Sequence, residues 1–406
     1  MNDHDRPMRV LFVAFSRSSL GHITRMRTAA ERFASAGHEV AVAAHAEVRE
    51  LVLKAGLPWI AIDEIDPAPA WRGIDDVERL RAFVRTRLAS PEYVANSLRD
   101  ELRAIDDFGP DVVVSDMRNT ASVAASMRDL PSFTCHNLRL FRHPLHALLP
   151  ELLVTLEQLG VGRFHARKIL GDVVLVPDLP LLDPLSDIPE ETAALVSGMV
   201  SEIRHIGPLV AERLRTGPIA ADRPPLLHLT LGGSGGGDKD LLRAVAAARD
   251  LRIPMAVTLG VEGPESETLS REVKDAAAGA EIDVATFRHD AADLTARATA
   301  AVLHGGHSSM MEALLNATPM MFMPHSEEQR GNAARIAALG LGAVVGPDDP
   351  LETVTAKLVS VLETPDADAH AAFAGLLRSA DGAESMLERV ERAVRIHGIR
   401  RGLHAR

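Results

Sequence analysis

A histidine and an aspartate follow two apolar runs in the first third of the chain. The run 9–15 leads into a loop, SRSSLGH, that carries His22, and the run 111–116, DVVVSD, ends in Asp116. Such runs are typical of buried parallel strands, and ligands of parallel sheets lie off the carboxyl ends of the strands. The pattern therefore predicts that His22 and Asp116 point to the same rim of a sheet. An imidazole is suited to proton transfer near neutral pH, and a buried carboxylate at its second nitrogen would fix its tautomer.

A second group of polar residues lies in the stretch 301–332, AVLHGGHSSMMEALLNATPMMFMPHSEEQRGN. An apolar strand is followed there by a turn with two glycines and by a helix that opens with two serines. The residues of this turn and helix that could bind a ligand are His304, Gly305, Gly306, Ser308, Ser309 and Glu312. A strand, a tight turn and a helix N-terminus expose backbone N–H groups to an anion. We expect this segment to form a phosphate cradle.

The next strand, 320–323, ends at Pro324 and is followed by an acid-amide pair, Glu328 and Gln329, where another helix begins. These two side chains could bind a ligand at the same rim as the phosphate cradle. Acidic residues are also favoured in the solvated first turn of a helix. The pair alone leaves both interpretations open.

A glycine-rich loop, GGSGGG at 232–237, follows the apolar strand 226–231 and contains Gly233 and Ser234. Such a loop can cradle phosphate through its amides. It is equally compatible with a flexible entry turn or with a close approach of two domains.

Two of these motifs together resemble a known family. HGG-x-S-S-x-x-E-A-L and P-x3-E-Q-x2-N-A-x-R are similar to the donor-sugar signature of nucleotide-sugar glycosyltransferases with the GT-B fold. The likeness is greatest to the natural-product branch, the macrolide and plant UDP-glycosyltransferase-like enzymes. The Gly-His pair at 21–22 is a second similarity. The chain departs from the family at Ala317-Thr318, where Gly-Val is common, and at Glu328, where aspartate is common.

The resemblance implies a role for each group of residues. His22 would be the base that takes a proton from an acceptor hydroxyl, and Asp116 would orient it. Glu312 would bind the ribose hydroxyls, and Glu328 with Gln329 would bind the donor sugar. The residues implied to hold the diphosphate are Gly233, Ser234, His304, Gly305, Gly306, Ser308 and Ser309. No metal is needed, because helix N-termini and the histidine of the turn can neutralise the leaving group.

Each of these assignments competes with a purely structural role. Glu312 lies three residues after Ser309, and the two could form a capping box. His304 could be a core histidine whose nitrogens are both satisfied. His22 could cap the first helix from the preceding turn, and Asp116 could cap a helix as well.

Composition limits the class of protein. Of 406 residues, 46% are apolar and 25% are charged, which is typical of a soluble globular protein, and the length suggests two domains. Basic residues number 44 against 56 acidic ones, a net charge of −12, which argues against nucleic acid or an anionic membrane as partner. The single cysteine, Cys135, excludes an internal disulfide. No apolar stretch reaches about 18 residues, so we expect a cytoplasmic protein without stable membrane insertion.

Strand and helix signals alternate along the whole chain, which predicts an α/β protein with two doubly wound parallel sheets. We expect a first Rossmann-like domain at 1–216, a Pro- and Gly-rich linker at 217–225 and a second such domain at 226–385. No G-x-G-x-x-G fingerprint follows the first strand. The resemblance implies that the domains face each other across a cleft, as in GT-B proteins, and that a final helix, 386–406, crosses back to the first.

The function that follows is inverting transfer of a sugar from a UDP- or dTDP-sugar to a small-molecule acceptor, with no cofactor. Three alternatives remain: a sugar-nucleotide epimerase, a transferase that adds N-acetylglucosamine to a lipid-linked cell-wall precursor, and a non-catalytic binding homologue. The sugar, the base, the acceptor and assembly into a homodimer are left open.

Overall fold

The computed structural model describes residues 6–17, 20–65, 77–142, 145–219, 223–231, 237–260, 264–288, 290–363 and 366–404. These residues divide into two compact units. The first unit runs to Leu209 and resumes at Ala380, and the second comprises Val210–Ser379.

Both divisions fall a few residues before the limits that the sequence predicts, which are 216 and 385. The helix Glu212–Thr216 belongs to the second unit, where Arg213 forms an ion pair with Asp293 at 2.5 Å. Gly382 belongs to the first unit, because its backbone packs so closely on Gly207 that a side chain at 382 would collide with the carbonyl of Gly207.

The first unit contains a parallel sheet with the strand order β3-β2-β1-β4-β5-β6-β7 among the described residues. Its strands are β1 (Arg9–Ala14), β2 (Glu39–Ala44), β3 (Trp59–Ala61), β4 (Val112–Asp116), β5 (Ser132–Cys135), β6 (Val173–Val176) and β7 (Glu202–His205). Its α-helices are Leu20–Ser35, Arg49–Lys54, Val77–Phe83, Pro91–Phe108, Asn119–Ser126, Leu145–Gln158, Arg163–Ala166, Glu190–Ser197 and Gly382–His404.

The second unit contains a parallel sheet with the strand order β10-β9-β8-β11-β12-β13 among the described residues. Its strands are β8 (Leu227–Thr230), β9 (Met255–Thr258), β10 (Ile282–Ala285), β11 (Ala300–Leu303), β12 (Met320–Phe322) and β13 (Gly342–Val344). Its helices are Glu212–Thr216, Asp238–Asp250, Pro264–Ala277, Ala291–Arg297, His307–Leu315, Glu327–Ala338, Leu351–Glu363 and Ala367–Ser379. The predicted fold class, two doubly wound parallel-sheet domains, is confirmed.

The central strands are apolar throughout because helices cover both of their faces. Every residue of β4 is buried, as is all of β1 except Arg9. In the first unit Phe12 and Phe33 meet edge to face in the core, with ring centroids 5.3 Å apart. The last helix adds buried apolar residues to this same core, including Met386 and Val390. Within the described ranges, no helix is both long enough and apolar enough to cross a membrane.

In each sheet the strand order reverses at one point. The first sheet reverses between β1 and β4, where Ala14 pairs with Asp116, and the second reverses between β8 and β11, where Leu303 pairs with Thr230. Loops that leave such a point on opposite sides of the sheet open a crevice at the carboxyl ends of the strands. Both predicted groups of functional residues follow these strands.

The first helix begins earlier than the sequence predicts. It spans Leu20–Ser35, so His22 lies in its first turn and not in the preceding loop. The residues before Thr24 continue the helix because the apolar Ile23 and Met26 are fully buried on its inner face. A helical backbone fixes the direction of the His22 side chain more tightly than a loop would.

A buried charged cluster lies beside the end of β4. Arg118 forms an ion pair with Glu101 at 2.9 Å and lies 3.9 Å from Glu64, and the three side chains are at most 2% exposed. Thr120 donates a hydrogen bond to Oε1 of Glu101. Burial raises the pKa of Glu101 to about 7 although the Arg118 charge opposes the rise, and burial also raises the pKa of Glu64. One cation thus faces two carboxyl groups whose ionisation is costly.

Glu101→Gln should make the stability of the protein less dependent on pH. The carboxyl group ionises near pH 4.5 in the unfolded chain but only near pH 7 in the folded one, so stability falls as pH rises through this window. Glutamine keeps the Oε1 acceptor, and it replaces Oε2, which has no partner in the described part of the chain. As pH rises through this window, the free energy of unfolding should fall by roughly 1 to 3 kcal/mol less in the variant than in the wild type.

Urea unfolding of wild type and variant at several values between about pH 5 and pH 8 measures this difference. Glu101→Ala is the control, since it removes the Oε1 acceptor and should lower stability at every pH. An equally steep fall in Glu101→Gln would show that other groups cause it.

Candidate active site

The structure brings His22 and Asp116 together, as the sequence predicts. Nδ1 of His22 lies 2.8 Å from Oδ1 of Asp116, and the carboxylate is fully buried whereas the imidazole is 16% exposed. An ionised carboxylate only accepts hydrogen bonds, so we assign the proton of the neutral ring to Nδ1, which leaves a lone pair on Nε2. Both oxygens of Asp116 are used by side chains, and the following helix has Arg118 at its N-cap position. The helix-cap role for Asp116 is therefore wrong.

Arg25 is a member of this group that the sequence pattern does not predict. Its Nε donates to Oδ2 of Asp116 at 2.9 Å, and its Nη2 donates to Oδ1 at 3.0 Å. Nη1 donates to Oδ1 of Asn137 at 2.6 Å. The only signal in the sequence is spacing, because residues three apart on a helix share one face and Arg25 follows His22 by three.

Two opposing effects set the ionisation of Asp116. Burial by itself would raise its pKa, but the charge of Arg25 and the contact with His22 lower it to about 2. His136 is also fully buried nearby, and desolvation lowers its pKa to about 3. Burial raises the pKa of the Cys135 thiol well above its ordinary value. Both His136 and Cys135 are therefore uncharged at neutral pH.

Glu64 holds the loop that leads from β1 to His22. Its carboxylate accepts hydrogen bonds from the backbone N–H of Ser16 at 3.0 Å and of Arg17 at 2.6 Å. The hydroxyl of Ser16 donates to the same carboxylate at 3.2 Å. Glu64 lies far from this loop in sequence, and no motif marks it.

The turn after β11 depends on both of its glycines. Gly305 has a φ of +90°, and a side chain there would bring a Cβ within 2.8 Å of the backbone oxygen of Gln329. A side chain at Gly306 would collide with the imidazole of His304. Asn332 donates to the carbonyl of Gly305 at 2.9 Å, which ties the turn to the next helix. The structure thus brings the His304 turn and the Gln329 helix start together, as predicted.

The helix His307–Leu315 starts without a side-chain cap and without an acidic residue in its first turn. Its first intrahelical bond runs from Met310 N–H to the carbonyl of Gly306, so the N–H groups of Ser308 and Ser309 precede it. The hydroxyl of Ser309 donates to the carbonyl of Gly306. Ser309 lies inside the helix and not at its N-cap, so the alternative capping box between Ser309 and Glu312 is absent.

Two imidazoles lie beside this helix start. Burial lowers the pKa of His304 to about 4, although a hydrogen bond to the Thr230 backbone favours its protonated form. His325, which the sequence pattern does not single out, lies 3.5 Å from Asp240, and burial lowers its pKa too. Nδ1 of His304 and Nε2 of His325 are buried and have no hydrogen-bond partner among the described residues. At neutral pH, without a ligand, His304 therefore offers polar atoms and no positive charge.

Glu312 lies on the second turn of the same helix and is half-buried. Burial raises its pKa to about 7, against the charge of Arg213 and with a contribution from Asp293. At neutral pH the unliganded protein therefore holds a substantial share of Glu312 in the protonated form.

Gln329 forms a capping box at the start of the helix Glu327–Ala338. Its Oε1 accepts from the N–H of His325 at 2.8 Å and of Ser326 at 3.2 Å, while its own N–H donates to the hydroxyl of Ser326. Its side chain is buried, and that of Glu328 is half-buried. The amide oxygen of Gln329 thus has a structural task, which leaves Nε2 as its donor group for a ligand.

Gly233 and Ser234 lie outside the described residues. Among those that the structure does describe, no three His, Cys, Asp or Glu side chains are grouped to hold a metal ion. A groove of about 610 Å³ lies along the helix Pro91–Phe108, lined by Leu98, Met127 and Leu159 among others. None of the predicted site residues lines it.

Comparison with known proteins adds a family match and two relatives. Residues 229–386 match the model of the glycosyltransferase family 28 C-terminal domain. The chain is 27% identical over 356 residues to an uncharacterised glycosyltransferase of Methanosarcina mazei, across 85% of this chain and 87% of the relative. It is also 27% identical over 361 residues to the L-demethylnoviosyl transferase of Streptomyces niveus, across 86% of this chain and 88% of the relative.

A solved structure with a similar fold is the spinosyn rhamnosyltransferase SpnG, with a TM-score of 0.70 and 21% identity over 95% of this chain and 100% of that chain. Complexes of SpnG with thymidine diphosphate and with the spinosyn aglycone are similar to this chain as well. Residues 229–386, which include most of the second unit, are thus similar to the glycosyltransferase family 28 C-terminal domain, and the chain has the GT-B fold.

Proposed function

We propose that this protein is a glycosyltransferase that moves a sugar from a UDP- or dTDP-sugar to a hydroxyl of a small natural-product acceptor, with inversion at the anomeric carbon. The observation that carries the proposal is that His22 and Asp116 in the first unit, and the turn at His304 in the second, lie at the ends of the strands between which the order of their own sheet reverses. Doubly wound sheets bind their ligands at this point. A general base belongs to one group and an anion site to the other.

His22 acts as the base in this proposal. The acceptor oxygen attacks the anomeric carbon while its proton passes to Nε2 of His22. The bond from that carbon to the diphosphate oxygen breaks, and its electron pair leaves with the nucleoside diphosphate. Attack opposite the leaving group inverts the anomeric centre. Asp116 keeps the lone pair on Nε2 and stabilises the imidazolium that forms.

The helix His307–Leu315 receives the diphosphate at its N-terminus. The N–H groups of Ser308 and Ser309 and the positive end of the helix dipole stabilise the negative charge that grows on the leaving group. His304 adds Nδ1, which the described residues leave without a partner. A phosphate oxygen there favours protonation of the ring, so the anion itself opposes the effect of burial. No metal ion is assigned a part in this step.

Each oxygen of Glu312 accepts a hydrogen bond from one ribose hydroxyl, for which the carboxyl group must be ionised. Glu328 and the Nε2 of Gln329 bind hydroxyls of the sugar. SpnG supports the class of donor and acceptor, because structures of that enzyme hold thymidine diphosphate and the spinosyn aglycone.

Glu312→Ala should weaken the binding of UDP or dTDP by about 1 to 3 kcal/mol, because hydrogen bonds to a charged group are lost. Calorimetry with the free nucleotide measures the change. Glu312→Gln is the matched variant for pH. Below pH 7 the wild type must release the Glu312 proton to bind, so its affinity should fall there relative to that of the glutamine variant.

The titration of the nucleotide itself cancels in the comparison of wild type with Glu312→Gln. Unchanged nucleotide affinity in Glu312→Ala would show that this carboxyl group is only a buried residue of the helix.

Gln329→Glu should lower affinity for the sugar donor, or its turnover, more than it lowers binding of the free nucleoside diphosphate, which the added negative charge affects as well. Glutamate keeps the acceptor for the N–H groups of His325 and Ser326 and removes the Nε2 donor. Gln329→Ala is the control for stability, since loss of the capping box should cost about 0.5 to 2 kcal/mol. Equal damage to both ligands by Gln329→Glu would mean that the pair does not bind the sugar.

His22→Ala should reduce transfer to a hydroxyl acceptor by about 10² to 10⁴, the usual contribution of a positioned base. Asp116→Asn should cost less, because Asp116 orients the base and takes no proton. The rate of the wild type should rise with pH as a single group loses its proton, and this limb should vanish in His22→Ala. Steady-state rates across pH measure these effects.

Nucleotide affinity is the control for His22→Ala, and it should stay unchanged because the proposed donor residues belong to the second unit. Near-complete transfer in this variant, or the same pH limb, would assign the base elsewhere.

A further inference from the structure

The guanidinium of Arg25 contacts both members of the His22–Asp116 pair. Nε and Nη2 bind the two oxygens of Asp116 at 2.9 and 3.0 Å, the bidentate arrangement that fixes a carboxylate most firmly. Nη1 donates to Asn137, which holds the far side of the fork. The arginine side chain is 4% exposed and the aspartate side chain 0%. Rotation of either group would leave a buried charge unpaired.

Nη2 of Arg25 also lies 2.9 Å from Nδ1 of His22. Because Nδ1 donates its proton to Asp116, these two nitrogens are both donors, and both N–H groups converge on Oδ1. A guanidinium at this distance repels an imidazolium, whereas Asp116 attracts it. The two charges therefore act on protonation of His22 in opposite directions.

We propose that Arg25 is a positioning residue that sets the pH range in which His22 works as a base. It keeps Oδ1 of Asp116 aimed at Nδ1, and its charge offsets much of the attraction that Asp116 exerts on an additional proton. This inference rests on the proposed role of His22.

Two further titratable groups lie near this pair. His136, just after β5, interacts electrostatically with His22, Asp116 and Arg25, and Cys135, at the end of β5, interacts with Asp116 and Arg25. Cys135 and His136 are uncharged at neutral pH for the reasons given above. Phe15, at the end of β1, meets the imidazole edge to face with ring centroids 6.2 Å apart.

The test compares Arg25→Met, which removes the charge and the bidentate contact with Asp116, with Arg25→Lys, which keeps the charge and loses the bidentate contact. We expect Arg25→Met to move the rising limb of log kcat/KM to higher pH by about one unit, because Asp116 then acts unopposed. Arg25→Lys should lower the plateau rate and leave the limb in place. A purely structural arginine would lower the rate in both variants without moving the limb.

A second measurement needs no substrate. The imidazole Cε1–H signal of His22 in ¹H–¹³C NMR spectra, assigned by its loss in His22→Ala, reports the protonation of the ring directly. Its titration midpoint should move up in Arg25→Met and stay near the wild-type value in Arg25→Lys. If no donor and acceptor give transfer in the wild type, the proposed function fails, whereas this titration still decides the effect of Arg25.

Arg25→Met leaves Asp116 buried without its main partner. If this single variant does not fold, the substitution is made in the Asp116→Asn background. In that background only a repelling charge is lost, so adding Arg25→Met should still raise the midpoint relative to Asp116→Asn. Thermal unfolding followed by circular dichroism establishes that each variant is folded. An unchanged midpoint in Arg25→Met, or an equal shift in Arg25→Lys, overturns the proposal.

Discussion

A carboxylate that is sealed from water at the end of a central strand is stable only if fixed partners meet its charge. Asp116 meets this condition through Arg25 and His22, which both come from the first helix. The helix start, the end of β4 and the loop that carries Asn137 are therefore held to one another by one buried charge. Directly after Asp116, the backbone of Met117 turns into the left-handed region, with a φ of +56°, and the chain leaves the strand sharply.

In the second unit the negative charge belongs to the proposed ligand, the diphosphate, and the protein must leave space for it. The turn after β11 provides this space with Gly305 and Gly306, where a Cβ would collide with the backbone of Gln329 or with the His304 ring. The helix after this turn, His307–Leu315, is followed by a less favourable residue. Ala317 has a φ of +51°, where glycine is the usual choice. The resemblance to the family marks this very position as a departure, and the structure gives its physical cost as backbone strain.

The strands, the polar residues at their ends and the contact between His22 and Asp116 follow from the local sequence pattern. Apolar runs and the parallel topology decide which residues share a rim. Arg25 and Glu64 could not be found in this way. Their roles depend on partners about 50 to 90 positions away, and a buried arginine or glutamate looks like a surface residue until the fold pairs it. The resemblance assigns Gln329 to the donor sugar, whereas the spacing from Ser326 to Gln329 already carries the sequence signal of the capping box that the structure shows. The sequence does not indicate the helix start at Leu20, because the serine-rich segment before it shows no helical periodicity of apolar residues.

The first unit is assembled from both ends of the chain. The final helix completes its core with Met386 and Val390, and Glu384 pairs with Arg32 at 2.5 Å while Glu391 pairs with His38 at 3.2 Å. During synthesis on the ribosome the second unit, as a continuous segment, is complete while the hydrophobic face of the first still lacks its cover. The part of the first unit that precedes the second is thus translated well before the helix that covers it, by the time that some 170 residues take to be translated, on the order of ten to thirty seconds.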